Sequence, residues 1–448
     1  MPGAPLSRWT MSYFAVALAC LLSGLALKGF GFGFPSADAG APDTLVLVHL
    51  IAIGWLGLLF LGALLQFAPV LAAASPRLPW IAAPALVALS FGLLLLLLGF
   101  LSLGGRLEFD IVVLPIGGIL LLIGFGVHVL SIAATLMARK QHDPPGFLVL
   151  LGLLALAVTA GLGLAFSCLL AGVVMPDWAG DLLAHGLPVH AFSGLVGWMT
   201  LTAIGVSYRL FSMLMLAPEK SRFGRWLGVA AFTGLISLWA GAMTAWVLPE
   251  FRDVAFWPAS AFFALSIVCY LADLVAMFLA RRRKALELNT SAGLVSVLHL
   301  PTGLVLIFLS QTVATSAPLL EAGVYSLAMG WLSGLGLAQL YKIVPFLTWL
   351  EAYGPVMGRS AVPRVQDLVR EPKARMYFAL YHVAVIAGGL CLLLGLDFWF
   401  RLAAWAQFAT VAGLGLEFIR ARRLSYAPES VRLPSGAVRP QLVTANPN

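Results

Sequence analysis

Charge is scarce in this chain. Only 10% of its 448 residues are Asp, Glu, Lys or Arg, while 61% are hydrophobic, and a water-soluble domain carries about a quarter charged residues to coat its surface. Cysteine is scarcer: Cys20, Cys168, Cys269 and Cys391 stand singly inside apolar runs. Their spacing excludes a zinc finger or a dithiol redox motif and gives no basis for disulfides. No nucleotide-binding loop, HExxH pair or Gly-x-Ser-x-Gly elbow occurs. The "FGFG" at 30–33 follows no strand and is no phosphate cradle. Strand-like alternation is missing too, since the apolar runs are continuous.

What the chain has instead is length of apolar run. Twelve runs of about 20 residues or more each suffice to cross a bilayer. They lie near 9–28, 44–73, 79–103, 111–137, 147–174, 188–216, 224–248, 257–280, 292–317, 322–350, 376–396 and 399–420. The expected fold is an all-α polytopic membrane protein, one twelve-helix domain over 1–423. The tail 424–448 shows no helical pattern and reads as disordered. "FAVALAC" before residue 21 continues into an apolar run, so it reads as a first transmembrane helix rather than a removed signal.

The net charge of +8 is distributed by loop. Arg139, Lys140, Lys220, Arg222, Arg225, Arg281, Arg282, Arg283, Lys284, the group Arg359 to Arg375, Arg420, Arg422 and Arg423 all fall on one side of a twelve-span arrangement. Only Lys28, Arg106, Arg252 and Arg401 fall on the other. This is the positive-inside bias, with both termini cytoplasmic and the inner membrane as location. The basic residues set topology, and the lipid bilayer rather than nucleic acid is the expected partner.

A motif recurs three times: "HLIAIGWLGLLFLGALLQFAP" at 49–69, "HAFSGLVGWMTLTAIGVSYRLFS" at 190–212 and "YSLAMGWLSGLGLAQLYKIVP" at 325–345. Each Gly-Trp pair is followed by a small residue and then by Pro or Ser at seven-residue steps: Trp55, Gly62, Pro69; Trp198, Gly205, Ser212; Trp331, Ala338, Pro345. Seven residues are nearly two helical turns, so each set lies on one face, and small residues there favour close helix packing in lipid. Gln66, Arg209 and Lys342 stand eleven residues after each Trp and read as end anchors. The period is near a third of the chain. It gives three pseudo-repeats of four helices, about 1–145, 146–290 and 291–423, all entering the membrane in the same sense.

Seven histidines mark candidate chemistry. His142 lies in a basic loop and reads as solvated. The others lie in or beside spans, where a polar ring needs a partner. His49 and His190 fall at similar depths in the second and sixth helices, and neutral imidazole is a good ligand for haem iron, copper or zinc. His185, beyond Pro188 in the loop at the start of the sixth helix, is either a further metal ligand beside His190 or interfacial. His299 and His382, near the starts of the ninth and eleventh helices, and His128 in the fourth can bind a cofactor, relay protons or simply bond a neighbouring helix. Asp273 in the eighth helix is either part of a proton or ion path or paired with a basic side chain. Glu417, three residues before Arg420, reads as a helical ion pair.

Twelve helices in three groups of four, with "HLIAIGWLGLLFLGALLQFAPVL" as the second, resemble the catalytic subunit of haem–copper oxidases. "HAFSGLVGWMTLTAIGVSYRL" is similar to the shorter oxidase-like membrane proteins related to NnrS, a haem- and copper-containing family. The resemblance covers the architecture of most of the chain but about sixty residues of motif. It implies His49 as an axial ligand of haem b, His190 at the sixth-helix metal position with copper, and His190, His299 or His382 as alternatives for the second axial ligand. It also implies a cytochrome or quinol electron donor and a role in nitric oxide handling, sensing or electron transfer. Two departures stand out: Tyr325 occupies the place of a tenth-helix histidine, and the histidine pair after the sixth helix is missing. Any enzyme would be an oxidoreductase of that superfamily without the full oxygen-reducing centre. The alternative is a transporter or a metal or oxidase assembly factor, with Met213 and Met215 as soft ligands for passing copper.

Overall fold

Inside hydrocarbon a backbone amide finds no water, so a spanning segment must satisfy its own N–H and C=O groups. The computed structural model, which describes residues 8–139, 143–174, 176, 179–218, 222–251, 254–312 and 317–444, meets this with helices throughout and no strand among the described residues. Lys140, His142, Lys220 and Arg252 lie outside the described residues. Twelve helices there are long and apolar enough to cross a membrane. They are α1 (Thr10–Gly29), α2 (Pro42–Ala72), α3 (Pro79–Leu103), α4 (Val113–Leu136), α5 (Pro144–Leu170), α6 (Ala179–Met215), α7 (Gly224–Val247), α8 (Trp257–Leu279), α9 (Leu288–Ser310), α10 (Ala317–Val356), α11 (Glu371–Leu394) and α12 (Asp397–Arg422). The chain is a multi-pass membrane protein, and all twelve predicted spans are present.

Local chemistry sets where helices begin. α5 opens on Asp143, whose carboxylate accepts from the Gly146 N–H at 3.1 Å, with prolines at the first two helical positions. Several spans start earlier than hydropathy suggests. α6 begins at Ala179, so His185 lies within it, and Pro188 is accommodated inside the helix. α9 begins with the polar run "LNTS" and α11 with "EPKARMY". An apolar window cannot count these turns. His299 and His382 therefore lie at the middles of their helices, each at the twelfth position, rather than near the starts.

The repeated motif has a local structure that its spacing did not announce. Within α2, α6 and α10, eight residues wind as π-helix: Leu50–Gly57, Ser193–Thr200 and Ser326–Ser333. The Trp is the sixth residue of each. The N–H of Leu58 reaches Ile53 and that of Leu201 reaches Val196, five residues back. In two copies a hydroxyl two residues after the Trp takes up the same register: Thr200 Oγ1 donates to Leu195 O at 3.0 Å, and Ser333 Oγ to Ala328 O at 2.7 Å. All three Trp side chains are buried. The small residues of the stripe are packing points. A Cβ at Gly62 would come within 2.7 Å of Tyr13 Cβ on α1, and one at Gly205 within 2.7 Å of the Pro145 carbonyl on α5.

The chain divides into two compact units, Met1–Gln66 with Leu286–Asn448, and Phe67–Ala285. Their borders do not follow the three repeats. Unit 1 holds α1, most of α2 and α9–α12; unit 2 holds α3–α8. In unit 1, α9 and α10 meet at Gly303 and Gly323. A Cβ on either would lie 2.8–2.9 Å from the other's carbonyl oxygen, so only glycine permits that approach. The anchors work between successive helices there: Gln66 Nε2 donates to Thr10 Oγ1 at 3.0 Å, and Lys342 Nζ pairs with Glu287 at 2.6 Å. The end of unit 1 that carries Arg359–Arg375 and Arg420–Arg423 is termed its basic end.

The tail expected to be disordered lies against this basic end. Ala427 and Leu424 are buried with Ala352, Tyr353, Val356 and Leu368. Val438 N–H donates to Ala352 O at 3.0 Å, and Tyr353 OH to Arg432 O at 2.8 Å. At its root Arg422 pairs with Glu351 at 2.8 Å, both buried, and also donates to Thr348 Oγ1 and to the carbonyls of Gln441 and Thr444. Residues 424–444 have no helical pattern beyond one short turn. What holds them is a handful of apolar side chains and backbone bonds to α10, none of which shows as periodicity.

Candidate functional site

The structure brings His299 and His382 together. Their rings stand 5.5 Å apart, centroid to centroid, and 16° from parallel, buried in unit 1 between α9, α10 and α11. The sequence of α10 makes the room. A Cβ at Gly330 would collide with the His299 ring, and one at Gly334 would lie 2.9 Å from His382 Cε1 and 2.7 Å from Ser296 Oγ. Gly330 is the glycine of the third Gly-Trp pair. Four residues apart, the two glycines give α10 a flat strip on which both imidazoles rest.

Polar partners are uneven. Ser326 Oγ donates to His299 O at 3.1 Å and lies 3.5 Å from His299 Nδ1. Neither ring nitrogen of His382 has a partner at hydrogen-bond geometry, although the Ala292 carbonyl lies beside it. A buried imidazole without partners is costly, and such groups call for a ligand or an internal water. Around the pair, Tyr381 OH donates to Met329 O at 2.7 Å and Trp55 Nε1 to Ser333 Oγ at 2.8 Å. These bonds tie α11 and α2 to the third π-helical segment. The sequence reading missed Ser296, Ser326, Gly330, Gly334 and Tyr381; Gly330-x-x-x-Gly334 was the one signal available for them.

The other predicted site residues are placed as follows. His49, half-buried at the entrance to the first π-helical segment, meets Leu45 O through Nδ1 at 2.8 Å. With the proton on Nδ1, Nε2 carries the lone pair, the arrangement a metal-binding imidazole uses. His190 in unit 2 meets Thr159 O on α5 at 3.0 Å, edge-on to Phe166, and His185 meets Asp181 O one turn earlier at 3.0 Å. His128 is fully buried in α4. Asp273 is buried, accepting from the N–H groups of Arg222 at 3.0 Å and Phe223 at 3.2 Å and from Tyr208 OH at 3.2 Å. It thereby caps the approach to α7. Glu417 pairs with Arg420 at 2.6 Å, as the spacing predicts. Tyr325, in the place of the expected tenth-helix histidine, accepts from Gln407 Nε2 at 2.5 Å and has Lys28 over its ring. Met213 is half exposed and Met215 buried.

Among the described residues no group of three or more His, Cys, Asp or Glu is placed to hold a metal ion, so an ion at the pair would have two imidazoles and open positions. With metal–nitrogen bonds of about 2.0–2.1 Å, two imidazoles facing each other across one ion would have centroids roughly 6.4 Å apart. The observed separation is 5.5 Å, with the rings 16° from parallel. It does not suit the two faces of one haem, so His299 and His382 do not fit as the two axial ligands of one iron. Neither the family models nor the curated proteins compared with this sequence give a match.

Proposed function

We propose that this is an inner-membrane protein that holds a metal centre on imidazoles, copper at His299 and His382 and haem b at His49. Its role is in nitric oxide handling, sensing or electron transfer. The observation that carries this reading is the buried pair on a glycine strip, with both ring nitrogens of His382 unpartnered. The resemblance of the second and sixth helices to haem–copper oxidases and NnrS-like proteins supports the metal centre, and the positive-inside charge asymmetry supports the inner-membrane location with both termini in the cytoplasm.

The copper ion would supply one-electron chemistry and open positions for a small ligand. The protein's part is to hold the imidazoles neutral, to fix His299 through Ser326, and to keep lipid and bulk water from the pair with the surrounding helices. Metal analysis and an absorption spectrum of the purified chain test the proposal. About one copper per chain is expected, lost in His382→Ala, with a haem Soret band lost in His49→Ala. A colourless, metal-free preparation from replete cells would refute it. Copper passage without a redox role is the second reading, favoured by an imidazole pair with no third His, Cys, Asp or Glu placed beside it among the described residues. A deletion strain with unchanged copper content would count against it.

A further inference from the structure

Lys28 lies in the last turn of α1, at the end of unit 1 remote from the basic end. A lysine at the end of a span ordinarily extends its ammonium outward to water. This one turns inward. The side chain of a helical residue leans towards its own helix N-terminus, and Lys28 Nζ stands over the ring of Tyr325 on α10, 5.6 Å from its centre. Helix register gives the depth. Arg401 on α12 is level with the end of α1, since it donates to Gly29 O at 3.5 Å and to Phe30 O at 3.3 Å. Gln407 follows six residues later on α12, about 9 Å deeper, and its amide meets the Tyr325 hydroxyl at 2.5 Å. The ammonium is thus drawn from the end of the span towards the buried side chains of Tyr325 and Gln407. Among the described residues no carboxylate pairs with it.

The hydrogen bonds around it leave donors over. Gln407 Nε2 gives one hydrogen to Tyr325 OH and the other to Ala384 O at 3.3 Å. That second bond fixes which way round the amide lies. The Tyr325 oxygen therefore accepts, and its own hydrogen has no acceptor among the described residues; Gln407 Oε1 has no partner either. The fold makes room for the phenol. A Cβ at Gly388 of α11 would collide with the Tyr325 hydroxyl, and Phe400 of α12 packs against the ring at 5.5 Å. What remains is an ammonium and a phenol hydrogen, a positive charge with no acceptor. Charged side chains inside a membrane protein ordinarily pair with one another or mark the place of an ion or substrate. An ammonium over the face of a ring is roughly 6 Å from the ring's hydroxyl oxygen, and one small anion bridges that gap at about 3 Å to each donor. We propose that Lys28 and Tyr325 form a binding site for a small monovalent anion, a halide or a short carboxylate, between α1, α10 and α12, with Arg401 as a second positive charge nearer the end of the span. The site contains no histidine and stands whether or not the imidazole pair holds metal.

Melting of the full chain in lipid nanodiscs, after chelation of metal, reads anion binding when chloride or acetate replaces gluconate at constant ionic strength, because a ligand of the folded state raises the melting temperature. At least one of the two small anions is expected to do so in the wild-type chain, and which one acts tells halide from carboxylate. Tyr325→Phe should raise the half-saturating concentration about tenfold, as loss of one hydrogen bond to a charged group does, and Lys28→Met should abolish the response. A wild-type chain indifferent to both anions overturns the site, as does a response that Lys28→Met keeps. If Lys28→Met does not fold, acylation of the wild-type chain decides. The anion that acts should slow modification of Lys28 about threefold or more against gluconate and leave exposed Lys373 unchanged; equal rates at Lys28 overturn the site.

Discussion

Two missing methyl groups make the room for the imidazole pair. Gly330→Ala drives a Cβ into the His299 ring and Gly334→Ala one into Ser296 and His382. Overpacking of this kind costs about 1–3 kcal/mol. Each variant is expected to melt at lower temperature and, on the copper reading proposed above, to hold less metal than the wild-type chain while still folded, which parallel thermal denaturation and metal analysis would show; unchanged melting in both would mean the strip does not position the rings. Ser333→Ala removes the acceptor of a buried indole N–H and the donor to Ala328. An orphaned buried group costs about 1–3 kcal/mol, and Ser333→Thr should recover part of it, read in the same melts. At this scale the sequence spoke clearly about which residues matter and poorly about which of them meet. Histidine in an apolar run is conspicuous anywhere. That His299 meets His382 depends on α9 and α11 sharing one strip of α10, and two glycines four apart do not name what rests on them.

The helices were legible as elements because twenty continuous apolar residues leave few alternatives. Their starts were not. The first turns of α9 and α11 are polar, and discounting them moved both histidines from mid-helix to an end. The π-helical segments were invisible for another reason: Trp, Gly and a hydroxyl are compatible with either winding, and only neighbouring backbones choose. The tail is the largest difference. Its hold runs through Arg422 and Glu351, a pair that looks in sequence like one more basic residue and one more acid at helix ends. Breaking a buried pair by removing one partner costs about 3–5 kcal/mol. Arg422→Ala should therefore free residues 424–444, and limited proteolysis is expected to cut there in the variant and spare the wild-type chain. Equal cleavage of both would show that the pair does not secure the tail.

For the molecule as a whole, the twelve spans put parity to work. Glu108, between α3 and α4, and Glu429, in the tail, are separated by the nine spans α4–α12. An odd number of crossings places them on opposite faces. Cysteine introduced at each, in a background lacking the native four, should react with an impermeant maleimide from opposite sides of sealed vesicles; labelling of both from one side would break the twelve-span topology. The threefold repeat read from Trp spacing survives locally, in three matching π-helical segments, while the chain's compact units number two. Sequence similarity between segments reports shared local structure, and compactness reports which segments pack. The two need not share borders.

The wide winding around Trp331 also means that α10 holds a residue it could lose without breaking. Deleting one amino acid from 326–333 would let the segment relax to ordinary winding, in which seven residues turn through about the angle that eight take in the wide form, so the helix on either side keeps its phase. The wide turn and the place of Gly330 within it would be lost. The helix would survive with its composition nearly intact, and the seat for the two rings would be gone through a change of local winding alone.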